Sequence, residues 1–335
     1  MPEAPARRHV AHGRRPVLAQ LAAHLVEAHG AQVGDGADLH DFFERVLQRA
    51  ARGADGLAEV GHGDDFVRVV LHVLARPRHD APAAGGAGGQ RTGGRAIAEA
   101  YLREGAQVVI NGRSAEKGAT AIKEMGGGPN LVFFAGDARN QKDCEGIVDF
   151  AIEKFGKLDI MVLNSGGVEN TAPVAMMTDE EWMLEVTWNL HSVFWGMRKS
   201  LQHMIPREAG RIIVTSSVEG KLGKPGIPGY AATKHAVLGL MKSAAREVGT
   251  LNITVNAILP GIIETDIVRD TGPASAVAMG VAGYDELIAM FCAESAIKRP
   301  NKVEEVAEVA VLLARDVAAG ITGTSFPVDG GTMPY

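Results

Sequence analysis

Tyr230 and Lys234 stand four residues apart in G-Y-A-A-T-K-H, a stretch with helical character, so both side chains leave one face of a helix. A phenol ordinarily keeps its proton until about pH 10, and a neighbouring ammonium stabilises the phenolate and lowers that value. The pair therefore predicts a tyrosine that gives and takes a proton near neutral pH. Thirteen residues before Tyr230, Ser217 closes the strand-like run R-I-I-V-T-S-S, where its hydroxyl is placed to hold a carbonyl oxygen. Together the three side chains predict proton transfer at the oxygen of a carbonyl or an alcohol. A lone Tyr-x-x-x-Lys is equally an ordinary surface pair, so the surrounding motifs decide between the two readings.

Such a set must be positioned by a frame, and from residue 95 onward the chain alternates helical and strand-like patterns. Strands are predicted over 107–110, 131–134, 159–163, 211–215, 253–258 and about 325–328. Helices are predicted over 95–104, 144–155, about 179–204, 230–248 and about 303–314. Alternation of this kind predicts an α/β fold, a doubly wound parallel sheet with helices on both faces of the Rossmann type, whose ligands lie across the carboxyl ends of the strands.

These residues and their spacing resemble the short-chain dehydrogenase/reductase family, especially its members of the β-ketoacyl-carrier-protein reductase kind, over roughly residue 95 to the end. The resemblance implies that Tyr230 is the acid-base, that Lys234 also binds the nicotinamide ribose and that Ser217 orients the carbonyl. It implies that Asn189 holds a water in a proton relay. N-S-G-G at Asn164, Ser165, Gly166 and Gly167 resembles the family's N-N-A-G, which lets the backbone approach the cofactor, although Ser165 and Gly166 are substitutions. Asp137 matches an acid that contacts adenine in the family; its other reading is a turn aspartate. Pro260-Gly261 with Thr265 resembles the loop that touches the nicotinamide carboxamide, and alone would be a turn signal. The closing I-T-G-T-S-F-P-V-D-G-G resembles the family's last strand and C-terminal loop.

Cofactor choice follows from charge at the end of the strand over 107–110. An NAD site places an acid there for the ribose 2′-hydroxyl, whereas a 2′-phosphate needs that acid absent and a cation near. In G-A-Q-V-V-I-N-G-R-S the acid's position is Gly112 and Arg113 follows, and an arginine fork donates several hydrogen bonds to one anion. NADP is therefore expected ahead of NAD, with Arg113 stacked on adenine or facing solvent as the other readings.

The phosphate-binding turn departs from the family's T-G-x-x-x-G-x-G. What stands ahead of the helix is A-G-G-A-G-G-Q-R-T-G-G-R, in which Gly85, Gly89 and Gly94 are the candidate cofactor-binding glycines, while Ala84 replaces the threonine and Gln90, Arg91 and Thr92 lengthen the turn. No strand directly precedes it. The nearest candidate is F-V-R-V-V-L-H-V-L over 66–74, yet the first strand of this fold is central and its absence would leave neighbouring backbone groups unpaired.

Composition changes at the same place. Before Arg95 there is no Lys, Ile, Asn, Ser, Tyr, Trp or Cys, a single Thr at position 92, and eight of the chain's eleven histidines. Two domains are expected, an atypical segment over 1–92 with helices over about 16–29 and 39–52, and the Rossmann domain over 93–335. Either the first segment is an aberrant start, such as a misread frame in a GC-rich gene, or it is a genuine extension that supplies the central strand from 67–74. Its histidines follow no ligand motif, so no metal is expected.

With 46% apolar and 5% aromatic residues among 335, the chain can bury a large core. A net charge of −6 without a basic run gives no case for nucleic acid or an anionic membrane surface. No apolar run approaches the roughly 20 residues that span a bilayer. Cys144 and Cys292 are too few for a disulfide framework, and a cytoplasmic location is expected. Substrate is barely encoded. Between Thr265 and Pro300 lies the family's lid segment, with Ile267, Val268, Met279, Val281, Tyr284, Leu287, Ile288, Met290 and Phe291. It predicts an apolar pocket for a hydrophobic ketone or secondary alcohol, although Leu287, Met290 and Phe291 read equally well as the packed face of a short helix. Glu219, Lys221 and Lys224 are either readers of a polar substrate group or plain loop charges. The resemblance implies a homotetramer or homodimer built on the helices over 179–204 and 230–248. The expected activity is an NAD(P)-dependent hydride transfer. Its alternative is a catalytically impaired cofactor-binding or structural relative, made so by the altered glycine turn.

Overall fold

Apolar runs bounded by turns form seven strands that join one all-parallel sheet: β1 (Arg68–His72), β2 (Gln107–Gly112), β3 (Leu131–Ala135), β4 (Ile160–Leu163), β5 (Gly210–Thr215), β6 (Ile253–Pro260) and β7 (Ser325–Val328). The computed structural model describes residues 68–72 as backbone, 92–265, 268–269, 272–273, 276 and 281–333. This sheet belongs to the second of the chain's two units, Asp64–Tyr335. The helices expected over 16–29 and 39–52, the glycines Gly85 and Gly89, and the lid residues Ile267 and Met279 lie outside the described residues.

Spatial order is β3-β2-β1-β4-β5-β6-β7. The chain winds outward from β1 to β3, then returns to lay β4 on the other side of β1, so the switch point falls between β1 and β4, where a doubly wound sheet opens a crevice at its carboxyl edge. Residues 68–72, inside the run singled out over 66–74, thus supply the central strand: Val69 pairs with Val108 of β2 on one side and Ile160 of β4 on the other. That strand lies ahead of the boundary expected near residue 92.

Eight helices of eight residues or more are described: α1 (Gly93–Arg103), α2 (Ala115–Glu124), α3 (Gln141–Phe155), α4 (Asp179–Val186), α5 (Ser192–Met204), α6 (Pro228–Val248), α7 (Tyr284–Glu294) and α8 (Val303–Ala314). Central strands of a parallel sheet are covered on both faces, so they are apolar at consecutive positions. In β4 and β5 the period of two then sorts the side chains. Met161, Leu163, Ile212 and Val214 pack beneath Ile147 of α3, Val193 and Met197 of α5 and Val237 of α6. Ile160, Val162 and Ile213 face the other way, against Ile97 and Tyr101 of α1 and Val306 of α8. The Tyr101 hydroxyl, fully inside this layer, donates to the Ala310 carbonyl at 2.9 Å.

Two local features bear on the site. Thr92, read in the sequence as part of an overlong turn, accepts a hydrogen bond from Arg95 N at 3.2 Å and caps α1. The helix expected over 179–204 is interrupted by a π-turn, Thr187–His191, between α4 and α5, a distortion that recurs at functional positions. Among the described residues no helix is long and apolar enough to cross a membrane, and no group of three or more His, Cys, Asp or Glu is arranged to hold a metal ion.

Candidate active site

Every described residue singled out for the site sits at the carboxyl edge of the sheet or on an element that begins there. Gly112 ends β2 and Arg113 follows, Asp137 lies just past β3, Asn164 and Gly166 follow β4, and Ser217 follows β5. Thr265 lies past β6, Gly94 is in the first turn of α1, and Tyr230 and Lys234 are in the opening turns of α6. Pro228 at the start of α6 has no backbone N–H to leave unsatisfied, which fixes where that helix begins.

The Lys234 ammonium lies 5.5 Å from the centroid of the Tyr230 ring. It is buried and donates to the Thr215 carbonyl at 3.0 Å. Ser217 is not the end of the strand. It caps the short 3-10 turn Val218–Gly220 and its hydroxyl donates to the Glu219 carboxylate. The electrostatics of the tyrosine run opposite to the expectation from its lysine alone. Burial first, then the Glu219 carboxylate, hold the Tyr230 phenol above its ordinary value; the Ser217 side chain pulls it down and Glu185 adds to the rise. Burial also lowers Lys234, to about 8, against the attraction of Glu185 and Glu219. At neutral pH Tyr230 is therefore a proton donor, and Lys234 is charged below about pH 8.

Asn189 is buried inside the π-turn. Its Oδ1 accepts from Gly167 N at 2.9 Å and its amide donates to Gly167 O at 3.0 Å and to Glu185 Oε2 at 2.7 Å. This couples the turn after β4 to the π-turn. Gly166, at φ 140, lies between them: a Cβ there would collide with Asn189 Oδ1 and come within 3.1 Å of Lys234 Nζ. Glycine at this position is thus required both by backbone conformation and by space. Gly166→Ala is expected to displace Lys234 and Asn189 and to lower turnover about 100-fold, with helix content by circular dichroism retained; full activity in the variant refutes the close approach. On β5, the Thr215 hydroxyl donates to Asn164 Oδ1 at 2.8 Å and braces the strand beside it.

At the other end of the edge, a cavity of about 260 Å³ is lined by Thr92, Gly112, Arg113, Ser114, Lys117 and Phe133, among others. No carboxylate occupies the position of Gly112. The Asn111 amide ties the end of β2 to the turn after β3 by donating to Phe134 O and Gly136 O, both at 3.0 Å. Asp137 is paired with Arg139 at 2.8 Å. Its carboxyl lies below the usual range despite burial, through hydrogen bonds from Arg139 and the nearby charge of Arg113. Arg113 and Lys117 in the lining, with Arg95 paired to Glu124 and no acid at the strand end, fit a dinucleotide that carries a ribose phosphate.

In the lid segment Leu287, Ile288 and Cys292 form the buried face of α7, while Met290 and Phe291 are half-buried. The Lys224 ammonium bridges to Glu294 at 2.8 and 3.0 Å and sits 4.3 Å from the Phe291 ring centroid, fastening the loop after β5 to α7. Lys224 is thus engaged within the protein, as Glu219 is with Ser217, whereas Lys221 is exposed.

Sequence reasoning missed Glu185. It is fully buried on α4, and its Oε1 accepts from Glu169 N at 2.6 Å and Asn170 N at 3.3 Å. The available signal was its position one helical turn before Asn189.

A doubly wound sheet with a tyrosine beside a buried lysine at its switch-point edge is the architecture of a nicotinamide-dependent oxidoreductase. A family model described as enoyl-(acyl carrier protein) reductase matches residues 86–333. The 3-oxoacyl-[acyl-carrier-protein] reductase FabG of Escherichia coli K12 is 36% identical over 246 residues, 73% of this chain and 94% of the relative. The 3beta-hydroxysteroid dehydrogenase 2 of Eggerthella lenta is 33% identical over 270 residues, 78% of this chain and 100% of the relative. Among solved structures, a variant of actinorhodin polyketide ketoreductase with NADPH aligns with a TM-score of 0.71 at 28% identity, covering 81% of this chain and 98% of that one. ElxO with NADP bound aligns at 0.68 and 24% identity, a likeness of fold, over 81% of this chain and 100% of that one. The chain belongs to the short-chain dehydrogenase/reductase family and is an NAD(P)-dependent oxidoreductase acting on CH–OH and C=O groups.

Proposed function

We propose that the protein interconverts a hydrophobic ketone and its secondary alcohol with NADP as the preferred cofactor and Tyr230 as the acid-base. The observation that carries this reading is the Lys234 ammonium 5.5 Å from the Tyr230 ring centroid, with Ser217 beside them at the edge where the cofactor crevice opens. When bound, the nicotinamide supplies or accepts the hydride at the carbonyl carbon. In the reducing direction the Tyr230 phenol gives its proton to the carbonyl oxygen, so carbon gains hydride and oxygen gains hydrogen. Ser217, on turning its hydroxyl from Glu219, donates to the same oxygen and holds it in line. Lys234 stabilises the phenolate left behind, and a low-dielectric setting makes that charge count for more than in water. Asn189, held by Gly167 and Glu185, fixes the wall behind Lys234.

Arg113 and Lys117 suit the 2′-phosphate, and Asp137 with Arg139 suits the adenosine end. Arg113 has a reason to prefer NADPH, since an arginine–phosphate contact is charge-assisted and forked. Arg113→Ala is expected to weaken NADPH binding about 10- to 100-fold and leave NADH binding unchanged, read by nucleotide fluorescence; equal loss for both nucleotides would place Arg113 elsewhere. The relatives named for 3-oxoacyl, hydroxysteroid and polyketide substrates direct the substrate screen. A panel of 3-oxoacyl thioesters, steroid ketones and simple ketones, run with both nucleotides and followed by nicotinamide absorbance, tests the reading; turnover with none of them defeats it.

The exposed Trp182 and Met183 of α4 and Phe194 of α5, at 40–49%, support a homodimer or homotetramer built on α4, α5 and α6. The buried, unbridged thiols Cys144 and Cys292 suit a reducing cytoplasm.

A further inference from the structure

Glu185 is a carboxylate at 0% exposure. A charge buried without a partner of opposite sign is strongly disfavoured, so its partner identifies its role. All its hydrogen bonds come from donors: Glu169 N at 2.6 Å and Asn170 N at 3.3 Å to Oε1, and the Asn189 amide at 2.7 Å to Oε2. Burial pushes the Glu185 carboxyl above its ordinary value, while these three donated hydrogen bonds act the other way and favour the ionised form. Two buried cations exist among the described residues, Arg211 and Lys234. Arg211 stands at the start of β5, at the opposite edge of the sheet, and reaches Asp316. Lys234 is on the near side: its Nζ and Asn189 Oδ1 border the same space beside Gly166, and Asn189 is the residue that Glu185 grips. Gly229, just before Tyr230, has no side chain, and a Cβ there would touch Glu185 Cγ at 3.1 Å, so the start of α6 rests directly on the methylenes of this side chain.

We propose that Glu185 is a positioning residue of the active site, whose carboxylate fixes Asn189 and the turn after β4 and serves as the buried counter-ion of Lys234. This rests on the functional reading above, and it assigns that site a charge that the tyrosine, lysine, serine and asparagine do not carry. The ionisable groups facing the pair are Glu169 from the turn after β4, Glu219 from the loop after β5, and Tyr230 from α6. Of these, Glu219 is engaged by Ser217 and Glu169 is more exposed than Glu185. Loss of the Glu185 charge leaves the ammonium less stabilised, so Lys234 gives up its proton at lower pH.

The probe is NADPH, titrated by fluorescence across roughly pH 6–10. Affinity in the wild type is expected to fall as pH rises through Lys234 titration near 8. In Glu185→Gln, which keeps the shape, that midpoint is expected about one pH unit lower, with melting temperature recorded in parallel. A folded Glu185→Gln that keeps the wild-type midpoint overturns the proposal. A second readout needs no ligand: Lys234→Met strands the carboxylate, so the double variant Glu185→Gln, Lys234→Met is expected to melt above Lys234→Met alone. A double variant no more stable than that single one also overturns the proposal. A wild type that binds no NADPH at any pH defeats the functional reading and this inference together, whereas failure confined to the variants defeats the inference alone.

Discussion

Tyr230→Phe is expected to lose about 10²- to 10⁴-fold in turnover while binding NADPH as the wild type does. The substitution removes one oxygen and leaves the ring, which is half-buried and over which the Lys234 ammonium sits. In the proposed reading the cofactor's other contacts are Arg113, the turn after β4 and the start of α1, none of which Tyr230 holds in place. Loss in the chemical step with affinity preserved is the signature of a group that acts in the transition state. Because burial and nearby carboxylates hold this phenol above its ordinary value, the wild type is expected to reduce ketones readily at neutral pH, where the donor form prevails. Oxidation of the alcohol should gain as pH rises. A Phe variant with wild-type turnover would falsify the assignment of the acid-base.

Lys234→Met is expected to fail in both respects, losing about 10³-fold in turnover and weakening NADPH binding as well. Methionine fills nearly the same volume, so the packing of α6 over the sheet survives, but the charge and the hydrogen bond to Thr215 O are gone. The phenolate then keeps only the Ser217 hydroxyl, and the buried Glu185 is left with amide donors alone. The contrast between the two variants separates a residue that moves a proton from one that also holds cofactor, and fluorescence titration beside steady-state kinetics reads it directly. A Met variant with unimpaired NADPH affinity would confine Lys234 to the chemical step.

The sequence carried much of this arrangement because parallel strands covered on both faces must be apolar at consecutive positions, as in I-M-V-L of β4 and G-R-I-I-V-T of β5. The motif residues follow those runs directly, so their place at the carboxyl edge was legible too. What was less legible has local causes. In β1, V-V-L was recognisable as a strand, but about twenty residues separate it from α1 where the fold ordinarily allows a tight turn. Helix α2 has one buried residue, Gly118, so it offers no apolar stripe; its signal was the Ser114 cap, which accepts from Lys117 N. The π-turn leaves no mark on a periodic pattern that continues through it. Glu185 sits in the acid-rich run D-E-E-W-M-L-E, where the charges of Asp179, Glu180 and Glu181 at the helix start disguise the single one that turns inward.

That π-turn also constrains chain length. It carries one residue more than the regular winding on either side, and this surplus is what lets Asn189 look inward while α4 and α5 continue as one rod. Excising a single position there would restore ordinary winding and leave Val193 and Met197 on the sheet they cover, but it would withdraw Asn189 from Gly167 and Glu185. Family members with insertions or deletions should therefore accommodate them in surface loops and keep this count intact.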